Sequence, residues 1–352
     1  MKIIYVLLFI VTVSISTLFF LNITNDWIIE YDNKEIKQIS EKEDLHISDK
    51  EKVDNQKNEQ LLLTSGLKTD TSKRSIKISE ILDGGPGKDW IPSINSPKFL
   101  SIENAKKQMD YLNNKSNGIS VEIDWEARFY AYNILVWHEI TNDSIWDKKI
   151  SVTFCPLCWS AIVYDRDINW EEVLFWVSWK LYESNLLMYD NKTESLWSQS
   201  LWKSVVWEYL WTDLKIINSN LMTFEEFTKK YKNWKVLSDD TWFNRSYWYV
   251  PYWDYDESDT LYFPVWNEDL RYNKKEIFYI INDQKESVAF LFKDLREKWF
   301  WEITIWNIKY KATFKEWILE VRKWNKIINW YYEMWFSWIN HNVGNKNVWS
   351  IK

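Results

Sequence analysis

A repeat limits what this chain can become more than any other feature. Ser144 to Cys155, SIWDKKISVTFC, aligns without gaps on Thr304 to Lys315, TIWNIKYKATFK, an offset of 304 − 144 = 160 residues. Ile145 matches Ile305, Trp146 matches Trp306, Lys149 matches Lys309, Thr153 matches Thr313 and Phe154 matches Phe314; the same offset pairs Leu135 with Leu295. Self-similarity at one fixed spacing predicts two related units from a duplication. Lys315 stands in the place of Cys155 and Lys298 in that of His138, so chemistry carried by the cysteine and the histidine belongs to one copy.

Short alternating runs, ISVEI, RFYAY, ISVTF, AIVYD, VLFWVS and LLMYD, are separated by turn signals and predict strands. Ile102 to Asn113 follows a helical period, and Thr223 is a candidate N-cap for a second short helix ending near Tyr231. The fold class is therefore mainly β, α+β with few short helices, built on a duplicated β unit. The globular part is expected over 77–352, as lobes of about 77–240 and 241–352. Before it, Ile3 to Leu21 carries no charge and is long enough to cross a bilayer. With Lys2 before the run and acidic residues after it, residues 1–24 are expected to be a single-pass signal anchor, with the globular part outside the cytoplasm. Residues 25–76 are rich in Lys, Glu, Asp, Gln and Asn and are expected to be a disordered polar tether. A net charge of −7 offers no footprint for nucleic acid.

The chain has two cysteines, Cys155 and Cys158, in SVTFCPLCWSAIVYDR. A C-x-x-C pair can close a small disulfide ring or supply half of a tetrahedral thiolate metal site. Strands expected on both sides of it argue against a thioredoxin fold, in which a helix follows the pair and its N-terminus stabilises the thiolate. Three chemistries stay open. In the first, a thiol–disulfide oxidoreductase, Cys155 is the exposed attacking thiol, Cys158 resolves and His138 is the base, with Glu139 or Asp143 orienting the imidazole. In the second, zinc or copper is held by Cys155, Cys158 and His138 with His341 or a carboxylate. In the third, a non-catalytic cell-surface binding module, the cysteines are a clamp.

The composition holds 27 Trp and 6 Gly, where a chain of this length ordinarily has about 25 Gly. Trp146, Trp170, Trp306, Trp324 and Trp330 stand beside Asn, Asp or Lys at expected turns, where φ > 0 suits glycine and not indole. The expectation is that the gene reads UGA as glycine and that many tryptophans of this sequence are glycines in the native protein. Trp137, Trp197, Trp335 and Trp338 are expected to be tryptophan in fact.

Five ordered runs carry a resemblance: GGPGKDWIPSI, WHEITND, VTFCPLCWSA, SNLLMYDNKTESLWSQ and YWYVPYWDY. Over about Ile81 to His341 the chain resembles the bacterial family called domain of unknown function 3179, some of whose members are labelled selenoproteins. The resemblance implies glycine at Trp90, Trp159, Trp176, Trp179, Trp248 and Trp253. It also implies a site at Cys155, Cys158, His138 and Glu139, with a pocket lined by Asp143, Ser184, Asn185, Tyr189, Asp190, Glu194, Trp197 and Gln199. A selenocysteine in the motif would favour redox work. The expected partners are the membrane and a protein thiol or a metal donor.

Overall fold

A computed structural model of the chain describes residues 49–252, 254–283, 286–298, 300–305 and 308–349. The expected anchor, residues 1–24, and residues 25–48 lie outside the described residues, among which no helix is long and apolar enough to cross a membrane. Residues 57–352 form one compact unit and 1–56 another. Structure begins before the expected boundary at 77, because Asp49–Thr64 is helical. The apolar turn at its end places Leu62 in a core cluster with Leu67, Ile78 and Ile81, and Asn58 donates to the Ile78 carbonyl at 3.1 Å. One apolar turn suffices to order a segment whose average composition is that of a tether.

The domain is mainly β, and the order of elements around one of the aligned runs recurs around the other. In the first copy, strands Asn117–Ile123 and Glu126–Ala131 form a hairpin that runs into the helix Tyr132–His138 and the strands Ile140–Ile145 and Lys148–Cys155. In the second, Ile277–Asp283, Glu286–Leu291, Phe292–Glu297, Phe300–Ile305 and Ile308–Lys315 follow in the same order, each starting 160 residues later (277 − 117, 286 − 126, 292 − 132, 300 − 140, 308 − 148). Each hairpin also gains an antiparallel strand on one edge, Ser219–Thr223 or Asn329–Met334, and a parallel strand on the other, Lys235–Leu237 or Val348–Trp349.

The copies share a sheet. The strand of the second copy Asn329–Met334 pairs with the strand of the first copy Ser160–Asp165 at Tyr332 and Ala161, which joins two partial sheets into one of eight strands. A five-stranded sheet is set into the first copy, and its adjacent strands Phe175–Tyr182, Asn185–Asp190 and Leu196–Ser198 hold the SNLLMYD and SLWSQ runs. The cysteine turn lies where this inserted sheet meets the shared one, inside a cluster containing Cys155, Cys158, Trp197, Tyr255, Phe278 and Trp335.

Among the described residues 18 non-glycine residues have φ > 0, and ten of them are tryptophan: 146, 159, 170, 179, 202, 207, 211, 242, 317 and 324. Indole has no local hydrogen bond to favour this region, unlike Asn or Asp. Trp137, Trp197, Trp335 and Trp338 are not in this group, and each places its indole N–H on an oxygen, of Tyr249, Asp190, Asp269 and Ser287, at 2.9–3.0 Å. Trp330 is not at a turn. It lies buried in Asn329–Met334, donating to the Ser219 carbonyl at 2.9 Å. Trp90, Trp176 and Trp248 are not in the left-handed region, and Trp253 and Trp306 lie outside the described residues.

Candidate functional site: a buried thiol pair

The strand Lys148–Cys155 pairs antiparallel with Ser160–Asp165 in a register that sets Cys155 opposite Ser160. The intervening turn carries Cys158, and both cysteines are free thiols. Cys155 is 2% exposed and Cys158 fully buried, so the expectation of an exposed attacking Cys155 is corrected: apolar neighbours on three strands and Tyr255 cover both. Burial pushes the Cys155 thiol well above its ordinary value, and Cys158 and Glu139 push it the same way. Glu139 itself is raised to about 8 by burial.

Around Cys158 a polar network can be oriented from one fixed end. The Ile162 carbonyl can only accept, so Thr153 Oγ1 donates to it at 2.7 Å and must accept from Gln199 Nε2 at 2.8 Å. That turns Gln199 Oε1 toward Ser160, whose hydroxyl donates to it at 2.6 Å. Ser160 Oγ then has only lone pairs left for Cys158 Sγ, 3.1 Å away. Asn185 is fixed in the same manner, because the Ser200 N–H donates to its Oδ1 at 3.2 Å and leaves Nδ2 to donate to Cys158 Sγ at 2.9 Å. The donor that meets the sulfur is thus Asn185, and the Cys158 S–H in turn donates to Ser160 Oγ.

The same Asn185 nitrogen also faces Glu333, a residue with no signal in the sequence. It is fully buried, accepts from Ser200 Oγ at 2.9 Å and from Ser337 Oγ, and has Oε1 3.5 Å from Asn185 Nδ2. Burial raises its carboxyl to about 7, against the two hydroxyl donors. The next residue, Met334, donates its N–H to the Cys158 carbonyl at 3.0 Å.

Of the expected site residues, Asn185 reaches Cys158, Gln199 meets it only through Ser160, and Glu139 lies near enough to Cys155 to raise its thiol. His138 is turned away: Nδ1 donates to the Pro92 carbonyl at 2.7 Å and Nε2 accepts from Tyr247 Oη at 2.7 Å, so neither nitrogen is free for a thiol or a metal. Asp143 is taken by Arg128 and Tyr130, Tyr189 by Asp89, and Glu194 by Lys88. Asp190 caps its own turn and accepts from Trp197, while Ser184 sits in the turn before Asn185 with its buried hydroxyl unpartnered. His341 packs against Tyr182 and hydrogen-bonds Ser337. Among the described residues no group of three His, Cys, Asp or Glu side chains is placed to hold a metal ion.

No curated protein and no solved structure matches the chain. The model of one family, described as a protein of unknown function (DUF3179), matches residues 88–328, a span that takes in the cysteine turn, the Asn185 and Gln199 strands and the tyrosine-rich loop. The chain therefore belongs to the family of domain of unknown function 3179.

Proposed function

We propose that Cys155 and Cys158 form a thiol–disulfide couple, held outside the cytoplasm by an N-terminal anchor. The observation that carries this reading is the Asn185 amide donating to Cys158 Sγ inside a closed hydrogen-bond network. A structural thiol packs as a small hydrophobe and needs no donor. In the exchange Cys158 gives up its S–H proton and attacks a partner disulfide; one partner sulfur leaves, and Cys155, giving up its own proton, attacks Cys158 Sγ of the mixed disulfide and displaces the second. Two S–H protons pass to the two partner thiolates, the domain pair is oxidised and the partner reduced. His138 has no role as base in this scheme.

The test is equilibration in glutathione buffers of graded oxidised fraction, followed by alkylation and mass measurement of the tryptic peptide Ile150 to Arg166. Reversible loss of both alkyl groups as the buffer becomes oxidising is expected. Two thiols that stay alkylatable on unfolding after every buffer would overturn the couple.

We also propose that the ten tryptophans with φ > 0 are glycine in the native protein, through a gene that reads UGA as glycine. The same peptide tests this, since its mass reports residue 159. Trp159 stacks edge-on against Phe154 and Tyr132 beside the cysteine turn, at 5.5 and 5.6 Å between ring centroids. Glycine there removes that wall and opens a way toward the thiols.

A further inference from the structure

The duplication places one half of the thiol site in each copy. Met334 and Thr223 are the N-caps of equivalent helices, Trp335–His341 and Phe224–Lys230, an offset of 334 − 223 = 111. By that offset Glu333 corresponds to Met222, a fully buried apolar residue. The first copy has the cysteines and a methionine here; the second has Lys315 in place of Cys155 and a buried carboxyl. A carboxyl with two hydroxyl donors and, among the described residues, no cation beside it is costly to bury ionised, so its presence beside Asn185 calls for a role.

Resting on the thiol–disulfide reading, we propose that Glu333 is a positioning residue that couples the oxidation state of the Cys155–Cys158 pair to pH through the side-chain amide of Asn185. The amide has two hydrogens. One is given to Cys158 Sγ at 2.9 Å; the other is divided among Ser160 Oγ at 3.2 Å, Gln199 Oε1 at 3.3 Å and Glu333 Oε1 at 3.5 Å. A protonated Glu333 competes weakly for this amide and leaves it to the sulfur. An ionised Glu333 draws the amide away from the sulfur and sets a negative charge near Cys158. Tyr164 and Tyr331 are the other titratable groups facing Glu333, and burial holds both phenols far above neutral pH, so they stay protonated throughout.

The linkage has a definite sign. A disulfide sulfur is a poorer acceptor than the sulfur of a thiol, so oxidation frees the amide for Glu333 and favours its carboxylate. Oxidation of the dithiol releases two electrons and two protons, and near neutral pH it then releases part of a third proton, from Glu333. The midpoint potential of the couple must fall more steeply with pH just below the titration of Glu333 in the dithiol form than on either side of it.

The experiment is the midpoint potential of the full chain in glutathione buffers from acid to alkaline pH, read by alkylation and mass. A steeper segment near neutrality is expected in the native chain and absent in Glu333→Gln, which still forms the disulfide. Ser337→Ala removes a donor to the carboxylate and should move the segment to higher pH, which keeps the test valid if Glu333→Gln fails to fold. A disulfide with the same segment in Glu333→Gln, or one with no segment in the native chain, overturns this inference and leaves the couple standing. Failure of the native chain to form any disulfide overturns both.

Discussion

The side-chain amide of Asn185 donates to Sγ of Cys158 at 2.9 Å across 27 residues of sequence, joining the inserted sheet to the cysteine turn. Hydrogen bonds to a charged group contribute about 1.5–3 kcal/mol. Asn185→Ala should therefore slow disulfide formation by roughly ten- to a hundredfold, while Asn185→Gln recovers part of the rate. Stopped-flow oxidation by oxidised glutathione measures this, and equal rates in Asn185→Ala and the parent would remove Asn185 from the site.

Trp170 is 96% exposed at φ 69°, and Trp197 is fully buried with its N–H on Asp190. Strained backbone of this kind costs on the order of 1–3 kcal/mol per residue. Trp170→Gly should raise stability to urea by about 1 kcal/mol or more, whereas Trp197→Gly should lower it by over ~3 kcal/mol. Equal losses at both positions would argue that indole belongs at both.

Local chemistry was legible where it is strong. The two strands flanking the cysteines, the Thr223 cap, realised as a capping box with Glu226, and the offset of the repeat all follow from short-range pattern. The helix expected over Ile102 to Asn113 is shorter and ends at Gln108. The site itself was half legible. Asn185 and Gln199 stand in runs that mark it, but His138 lies next to Glu139 in sequence and points away from the thiols. The chain leaves the helix at Glu139 with φ 54°, and the imidazole stays between Pro92 and Tyr247. Glu333 could not be read at all, because the strand Asn329–Met334 comes beside the cysteine turn only through its long-range pairing with Ser160–Asp165.

Lys275 holds the loop that covers the thiols. Its Nζ donates to the carbonyl oxygens of Tyr255 and, at 2.7 Å, Thr260, lies 3.2 Å from Ser258 Oγ, and sits 3.5 Å from the centroid of the Tyr255 ring. Tyr255 in turn packs in the cluster of Cys155 and Cys158. Losing about 2 kcal/mol of such bonds raises the population of the opened loop roughly thirtyfold. Lys275→Met should speed maleimide labelling of the folded protein by about that factor, with little change in the urea midpoint. Unchanged labelling would mean that the thiols are reached by another way.

Burial holds His138 at about 4, below its ordinary 6.5, with the Pro92 carbonyl opposing and Arg245 reinforcing the shift. Above pH 6.5 neither the folded nor the unfolded chain binds the proton, and the neutral ring keeps both hydrogen bonds. Between 6.5 and about 4 the unfolded chain takes up a proton that the folded chain refuses, so stability falls with acid, by about 3 kcal/mol for this one group. His341, also held at about 4 by burial, acts in the same sense. Glu139 and Glu333, raised to about 8 and about 7, act in the opposite one, favouring the folded state as pH falls through the same window. The net curve is a sum, and the difference between the parent and His138→Gln isolates one member. Urea unfolding from pH 7 to 4.5 should show the variant less stable at pH 7 and the gap narrowing steadily toward acid; a gap independent of pH would place a charged or solvated imidazole at position 138.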